Sequence, residues 1–215
     1  MRTMLTVWGR ASSVNVQKVM WVIGELGLAH ERFDVGGQFG GLDAPDYLAM
    51  NPHGLIPTVR TEDGVILWES NAVVRYLARH DPERRLWPAS GQLQADADQW
   101  AEWAAVAVQR PMQVLFVSYV RTPPAERNTA LMEAEHRALT RAMRVAHEQL
   151  ARQPFLAGDH LTIADIAFGT FLYRYHELEI ARADLPALSS YYERLRSRSA
   201  YPEHVMVDFN FMRAA

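Results

Sequence analysis

Along the first 80 residues the spacing of apolar positions changes repeatedly. Residues 4–8 (MLTVW) form a short, apolar, β-prone run. Val14–Leu26 then places Val16, Val19, Met20, Ile23 and Leu26 on one helical face, and Gly27 is a suitable C-terminal stop. Residues 30–35 read as a second strand, followed by the glycine-rich segment Gly36-Gly37-Gln38-Phe39-Gly40-Gly41. Residues 56–60 and 65–68 read as two short strands around the turn Glu62-Asp63-Gly64. Ser70 opens a helix through about Arg79, which Asp81-Pro82 breaks. The predicted order is β-α-β-loop-β-β-α.

Beyond Leu86-Trp87-Pro88-Ala89-Ser90-Gly91, which reads as a linker, the strand signals vanish. Residues 95–109, 126–152, 163–178 and 188–197 all carry helical spacing. The chain therefore divides into an α/β half, residues 1–81, a linker at 82–92 and an all-α half, 93–215.

Composition narrows the chemistry. With no cysteine among 215 residues, disulfides, zinc–cysteine sites and a cysteine nucleophile are excluded. The net charge of −3, without a long single-sign run, offers no footprint for nucleic acid or an anionic membrane surface. No run of about 18 apolar residues exists to span a bilayer. The N-terminal apolar stretch is too short for a signal peptide, so the expected compartment is the cytoplasm.

Four motifs, in order, carry a family resemblance. Trp8-Gly9-Arg10 through Asn15-Val16 follows the first strand, and Asn51-Pro52-His53-Gly54-Leu55-Ile56-Pro57 precedes the third. Glu69-Ser70 and Thr162-Ile163-Ala164-Asp165 complete the set. Together they resemble the cytosolic glutathione S-transferases, and most closely the bacterial serine-type enzymes related to the theta and zeta classes. The resemblance implies a thioredoxin-like N-terminal domain, an all-α C-terminal domain and a homodimer. It also implies glutathione as co-substrate without a metal, and a role in detoxification.

The resemblance assigns roles residue by residue. The Ile56–Pro57 bond would be cis, and Ile56 would pair with glutathione's cysteinyl backbone like an added strand. Ser70, between a strand and a helix, suits an N-cap, and a helix N-terminus attracts an anion such as the γ-glutamyl carboxylate. Glu69 would take the α-ammonium. Where many relatives have a lysine two residues before the proline, this chain has Leu55. His53, or an arginine from elsewhere, would then meet the glycyl carboxylate, with Gln38 and Phe39 bordering it.

Thiol activation needs little. Glutathione's thiol, near 8.5 like free cysteine, must fall by about two pH units, or about 2.7 kcal/mol. A hydroxyl hydrogen bond to the thiolate supplies about 1.5–3 kcal/mol, and a helix N-terminus about 0.3–1 kcal/mol. The donor belongs just after the first strand, where Ser12 and Ser13 both lie. The family's six-residue spacing to a core valine, here Val19, favours Ser13 over Ser12; Asn15 would assist at the sulfur or steady the loop. No tyrosine precedes Tyr47, so a tyrosine-type mechanism is excluded.

The electrophile, a halogenated small molecule among the candidates, would meet Arg10, Trp103, Ala107, Arg110, Met112 and Phe116. Phe209, Phe211 and Met212 would fold over that pocket, and Pro111 would kink or end its helix. Core packing is the competing reading for this aromatic and methionine set. A glutathione-dependent isomerase, a disulfide reductase and a non-catalytic binding protein are alternatives on the same fold. Thr162 and Asp165 read as a capping box, with Leu161 and Ile166 as its staple. Cap loss in Asp165→Ala would cost about 0.5–2 kcal/mol.

Overall fold

The structure is a computed structural model and describes residues 4–214. It separates into two compact units, residues 4–85 with Ala200–Val207 and Leu86–Ser199 with 208–214. The C-terminal segment 200–207 thus belongs with the α/β half, although the expected division is a single cut.

In the first unit the elements are β1 (Leu5–Trp8), α1 (Val14–Leu26), β2 (His30–Phe33), α2 (Pro45–Met50), β3 (Thr58–Arg60), β4 (Ile66–Trp68) and α3 (Ser70–His80). The sheet order is β2-β1-β3-β4, with β2 parallel to β1 and the other pairs antiparallel. Apart from α2, which forms within the loop, this β-α-β-β-β-α order is the one expected. Val7 and Val59 on the sheet are fully buried, as are Val16, Val19 and Ile23 of α1 and Val73 of α3. Gly27 ends α1 in the left-handed conformation at φ 63°. The short helix α10 (Ala200–His204) returns to this unit, packing Tyr201 edge-on against Trp21 at 4.8 Å.

The second unit is helical: α4 (Gly91–Trp103), α5 (Gln109–Phe116), α6 (Thr129–Leu150), α7 (Ile163–Gly169), α8 (Leu172–Glu177) and α9 (Pro186–Arg196). Pro111 neither breaks nor ends the first helical run. A π-helical turn, Ala104–Val108, precedes it, and a second, Val117–Arg121, extends the run. A proline lacks the N–H for an i−4 bond, and a widened turn just before it accommodates that loss. Every residue of α7 is buried. Among the described residues no helix is long and apolar enough to cross a membrane.

One packing feature of this unit has a pH consequence. His176 stacks on Tyr192 at 4.2 Å, and its buried Nε2 has no hydrogen-bond partner among the described residues. Burial, reinforced by the positive charges of Arg182 and Arg196 against that of Glu193, lowers its pKa to about 4. The folded ring is therefore neutral where the unfolded one, near 6.5, begins to protonate. Stability is full above about pH 6.5 and drains as pH falls towards 4. Converting the whole interval gives about 3.4 kcal/mol, and screening of the partly exposed ring lowers the expectation to about 1–2 kcal/mol. Urea melts at pH 7 and pH 5 should show this loss in the native protein and less of it in His176→Phe. Equal losses in the two proteins would refute it.

Candidate functional site

The site grows from three connections of the first unit: β1–α1, α2–β3 and β4–α3. A small open cleft is lined by Asn15, Asn51, His53, Leu55, Ile56, Pro57, Glu69 and Ser70. The fold therefore brings together six of the residues singled out from sequence, though they span 55 positions from Asn15 to Ser70. Ser12, Ser13 and Gln38 are not among the lining residues.

The α2–β3 connection is braced from within. Tyr47 Oη donates to the Leu55 carbonyl at 2.6 Å and lies 2.9 Å from Thr58 Oγ1. Burial pushes the Tyr47 phenol up, so the hydroxyl stays a donor. Asn51 Nδ2 donates to the same carbonyl at 2.9 Å and to Thr58 Oγ1 at 3.2 Å, while Asn51 Oδ1 accepts from the His53 amide. Asn51 and Thr58 are almost wholly buried, which makes each of these bonds costly to lose. The Ile56–Pro57 bond is cis, as the resemblance implies. His53 turns its ring edge-on to Trp68 at 5.1 Å.

At β4–α3 the residue roles shift by one from the expectation. Glu69, not Ser70, holds the N-cap position, and Ser70 is the first helical residue. Glu69 sits at φ 65°, a conformation that costs a non-glycine residue about 1–3 kcal/mol and concentrates at functional sites. Its side chain does not cap the helix and is exposed. Ser70, in the first turn of this 11-residue helix, lines the cleft, and a helix start leaves its first N–H groups without intrahelical partners.

At β1–α1 the two serines separate. Ser12 is buried, at 8% exposure. Ser13 is half-buried and is the N-cap of α1, yet its hydroxyl makes no cap bond. Gln17, itself buried, donates from Nε2 to the Ala11 carbonyl at 3.1 Å and pins this loop. Two positions on, Asn15 Oδ1 is buried with no hydrogen-bond partner among the described residues, and Asn15 lines the cleft. An orphaned acceptor at a cleft wall is an open valence for a donor.

The electrophile-site candidates fare differently. Arg10 lies in the first unit and the other five in the second. Met112 and Phe116, at 1% and 2% exposure, are core residues and offer no surface to a ligand. Phe116 packs on Phe209 at 5.1 Å and under the Arg174 guanidinium at 4.0 Å. Phe209 is consequently buried in that cluster, Met212 Sδ takes a hydrogen bond from Arg121, and Phe211 is exposed. Trp103 and Ala107 are half-buried, and Arg110 is exposed, bonding Glu135 at 3.0 Å.

Tyr47, Asn51 and Gln17 were not expected as supports. Asn51 belongs to the recognised motif and is its one legible signal; Tyr47 and Gln17 have none.

Comparison with known proteins agrees with this layout. The family pattern "Glutathione S-transferase, N-terminal domain" matches residues 12–80, and "Glutathione S-transferase, C-terminal domain" matches 110–199. Glutathione S-transferase GstB of Escherichia coli (strain K12) is 36% identical over 205 residues, 95% of this chain and 99% of that protein. Glutathione S-transferase 4 of Zea mays is 32% identical over 90% of this chain and 88% of its own length. The solved theta-class glutathione S-transferase of Xanthomonas axonopodis pv. citri, with glutathione bound, superposes with TM-score 0.90 at 40% identity, covering 95% of this chain and 98% of that one. Two family domains matched in order, and relatives that share the chain from end to end, place this protein in the glutathione S-transferase family.

Proposed function

We propose that this transferase is of the serine type: it binds glutathione in the cleft and holds the thiolate with Ser13 for attack on a small electrophile. One observation carries the reading. The orphaned Oδ1 of Asn15, Ile56 with its cis-proline, and the Glu69–Ser70 helix start all line one cleft. The γ-glutamyl zwitterion meets complementary groups there, its carboxylate on the α3 amides and Ser70, its ammonium on Glu69. The cysteinyl backbone lies along Ile56. Ser13, with a hydroxyl unused by its helix, donates to the sulfur, and Asn15 meets the same residue of the peptide. The thiol proton passes to water, the thiolate forms a bond to an electrophilic carbon, and the leaving group departs with its electron pair. Trp103, Ala107 and Arg110 remain the electrophile-facing candidates, and halogenated carbon is the proposed class. The proposed setting is a cytoplasmic homodimer acting in detoxification.

The deciding experiment is a pH titration of the ultraviolet thiolate absorbance of bound glutathione. The expected apparent pKa lies about two pH units below the free value of about 8.5. A bound thiol that titrates no lower than free glutathione would overturn the serine-activation reading.

A further inference from the structure

Ile56–Pro57 is the only cis bond among the described residues, so the peptide before it, Leu55–Ile56, is trans. In a trans peptide the C=O and the following N–H share one plane and point in opposite directions. The Leu55 carbonyl turns to Tyr47 Oη at 2.6 Å and Asn51 Nδ2 at 2.9 Å. The Ile56 N–H therefore points away from those two side chains. It has no hydrogen-bond partner among the described residues, and Ile56 lines the cleft. We propose that Tyr47 is a positioning residue of the transferase reaction: by fixing the Leu55 carbonyl it aims the Ile56 N–H at the cysteinyl carbonyl of glutathione. The assignment rests on the glutathione reading above.

One arrangement of protons satisfies the whole cluster. A carbonyl only accepts, so the Tyr47 hydroxyl and one Asn51 Nδ2–H both donate to Leu55. The phenol has a single proton, so at their 2.9 Å contact Thr58 Oγ1–H donates to Tyr47 Oη. The second Asn51 Nδ2–H donates to Thr58 Oγ1 at 3.2 Å, and Asn51 Oδ1 accepts from the His53 amide. Each donor has an acceptor in a closed ring, and each bond polarises the next. Tyr47, Asn51 and Thr58 are all buried, so the ring is held in one arrangement before a ligand arrives. Two donors on one carbonyl also draw charge through the amide, which makes its N–H the stronger donor.

Within this ring the share of Tyr47 is separable. Asn51 also holds the His53 amide, so its loss disturbs the loop at two points. Tyr47→Phe removes one hydroxyl and keeps the aromatic ring that packs in α2. Leu55 then has Asn51 as its remaining donor, and the Thr58 hydroxyl loses its acceptor. The peptide plane gains freedom, and that freedom is lost again when glutathione binds, which weakens the hold on the peptide. The Ser13 hydroxyl is untouched, so activation of the sulfur in the bound complex is unaltered.

Steady-state kinetics with glutathione and an aryl halide test the assignment. Tyr47→Phe should raise the KM for glutathione about 3–10-fold, the range of one neutral hydrogen bond. The kcat should stay within about twofold and the KM for the aryl halide should not move, the signature of lost binding without lost chemistry. Thr162→Ala, in the helical unit, controls for lost stability alone and should leave all three constants unchanged. Amide hydrogen exchange gives a local readout: glutathione should protect the Ile56 N–H in the native protein and protect it less in Tyr47→Phe. Should Tyr47→Phe not fold, Thr58→Val takes its place and should raise the same KM, while Thr58→Ser, which keeps the hydroxyl, should retain the native value. A native KM in the folded variant, a loss confined to kcat, an equal KM rise in Thr162→Ala, or no protection of Ile56 in the native protein would overturn the role of Tyr47. A native protein that binds no glutathione would instead overturn the glutathione reading itself.

Discussion

Ser13→Ala is expected to lower kcat/KM with an aryl halide by about 10–100-fold and to raise the apparent pKa of bound glutathione by about one to two pH units. Both effects come from one lost hydrogen bond to a charged sulfur. The KM for glutathione should move little, because the substitution leaves the cleft-lining Ile56, Glu69 and Ser70, the proposed peptide contacts, untouched. Ser12→Ala is the discriminating partner. Ser12 is buried, and its loss should register in thermal stability and leave the thiol titration where it was. A larger pKa change in the Ser12 variant than in the Ser13 variant would reverse the assignment.

The second large effect is structural. Asp165 is fully buried at the start of α7 and accepts four hydrogen bonds. Thr162 N lies at 2.8 Å, Tyr191 Oη at 2.9 Å, Leu156 N at 3.0 Å and Thr162 Oγ1 at 3.2 Å. Burial pushes its carboxyl up, while those donors pull it down. Asp165→Ala leaves two buried backbone N–H groups and a tyrosine hydroxyl without their acceptor. Unmet buried donors cost about 1–3 kcal/mol each before relaxation, so a loss of about 2–4 kcal/mol is expected. This exceeds the 0.5–2 kcal/mol typical of an exposed cap. Thr162→Ala, which removes one weaker acceptor at 3.3 Å from the Ala164 amide, should cost about 1 kcal/mol. Denaturant unfolding checks both, and an unchanged midpoint in Asp165→Ala would refute the account. Glutathione binding below the transition should persist, since Asp165 lies in the helical unit and the cleft in the other.

Elements with a strong local pattern were legible before any coordinates. The α1 helix, its glycine stop and the turn between β3 and β4 match their signals within two residues. The α2 helix escaped because six residues complete fewer than two turns, too few for a periodicity to register. The helical run past Gln109 escaped because a proline reads as a breaker, and only the π turn before it shows how the chain continues. Met112 and Phe116 look the same in sequence whether they line a pocket or fill a core. Burial alone distinguishes the two, and here it makes them core.

The sequence by itself determined the two-part organisation and the family, and its lack of cysteine excludes a cysteine nucleophile. Those depend on composition and on motifs that are local in the chain. Tertiary structure decided what the motifs do together. It brought Asn15, Ile56 and Ser70 to one cleft, left the Ser13 hydroxyl free of its helix while burying Ser12, and set Tyr47 against the Leu55 carbonyl. Such facts depend on which distant backbones approach closely enough to exclude a side chain or strand a polar atom. No spacing along the chain encodes that, because it is set by the packing of elements against one another.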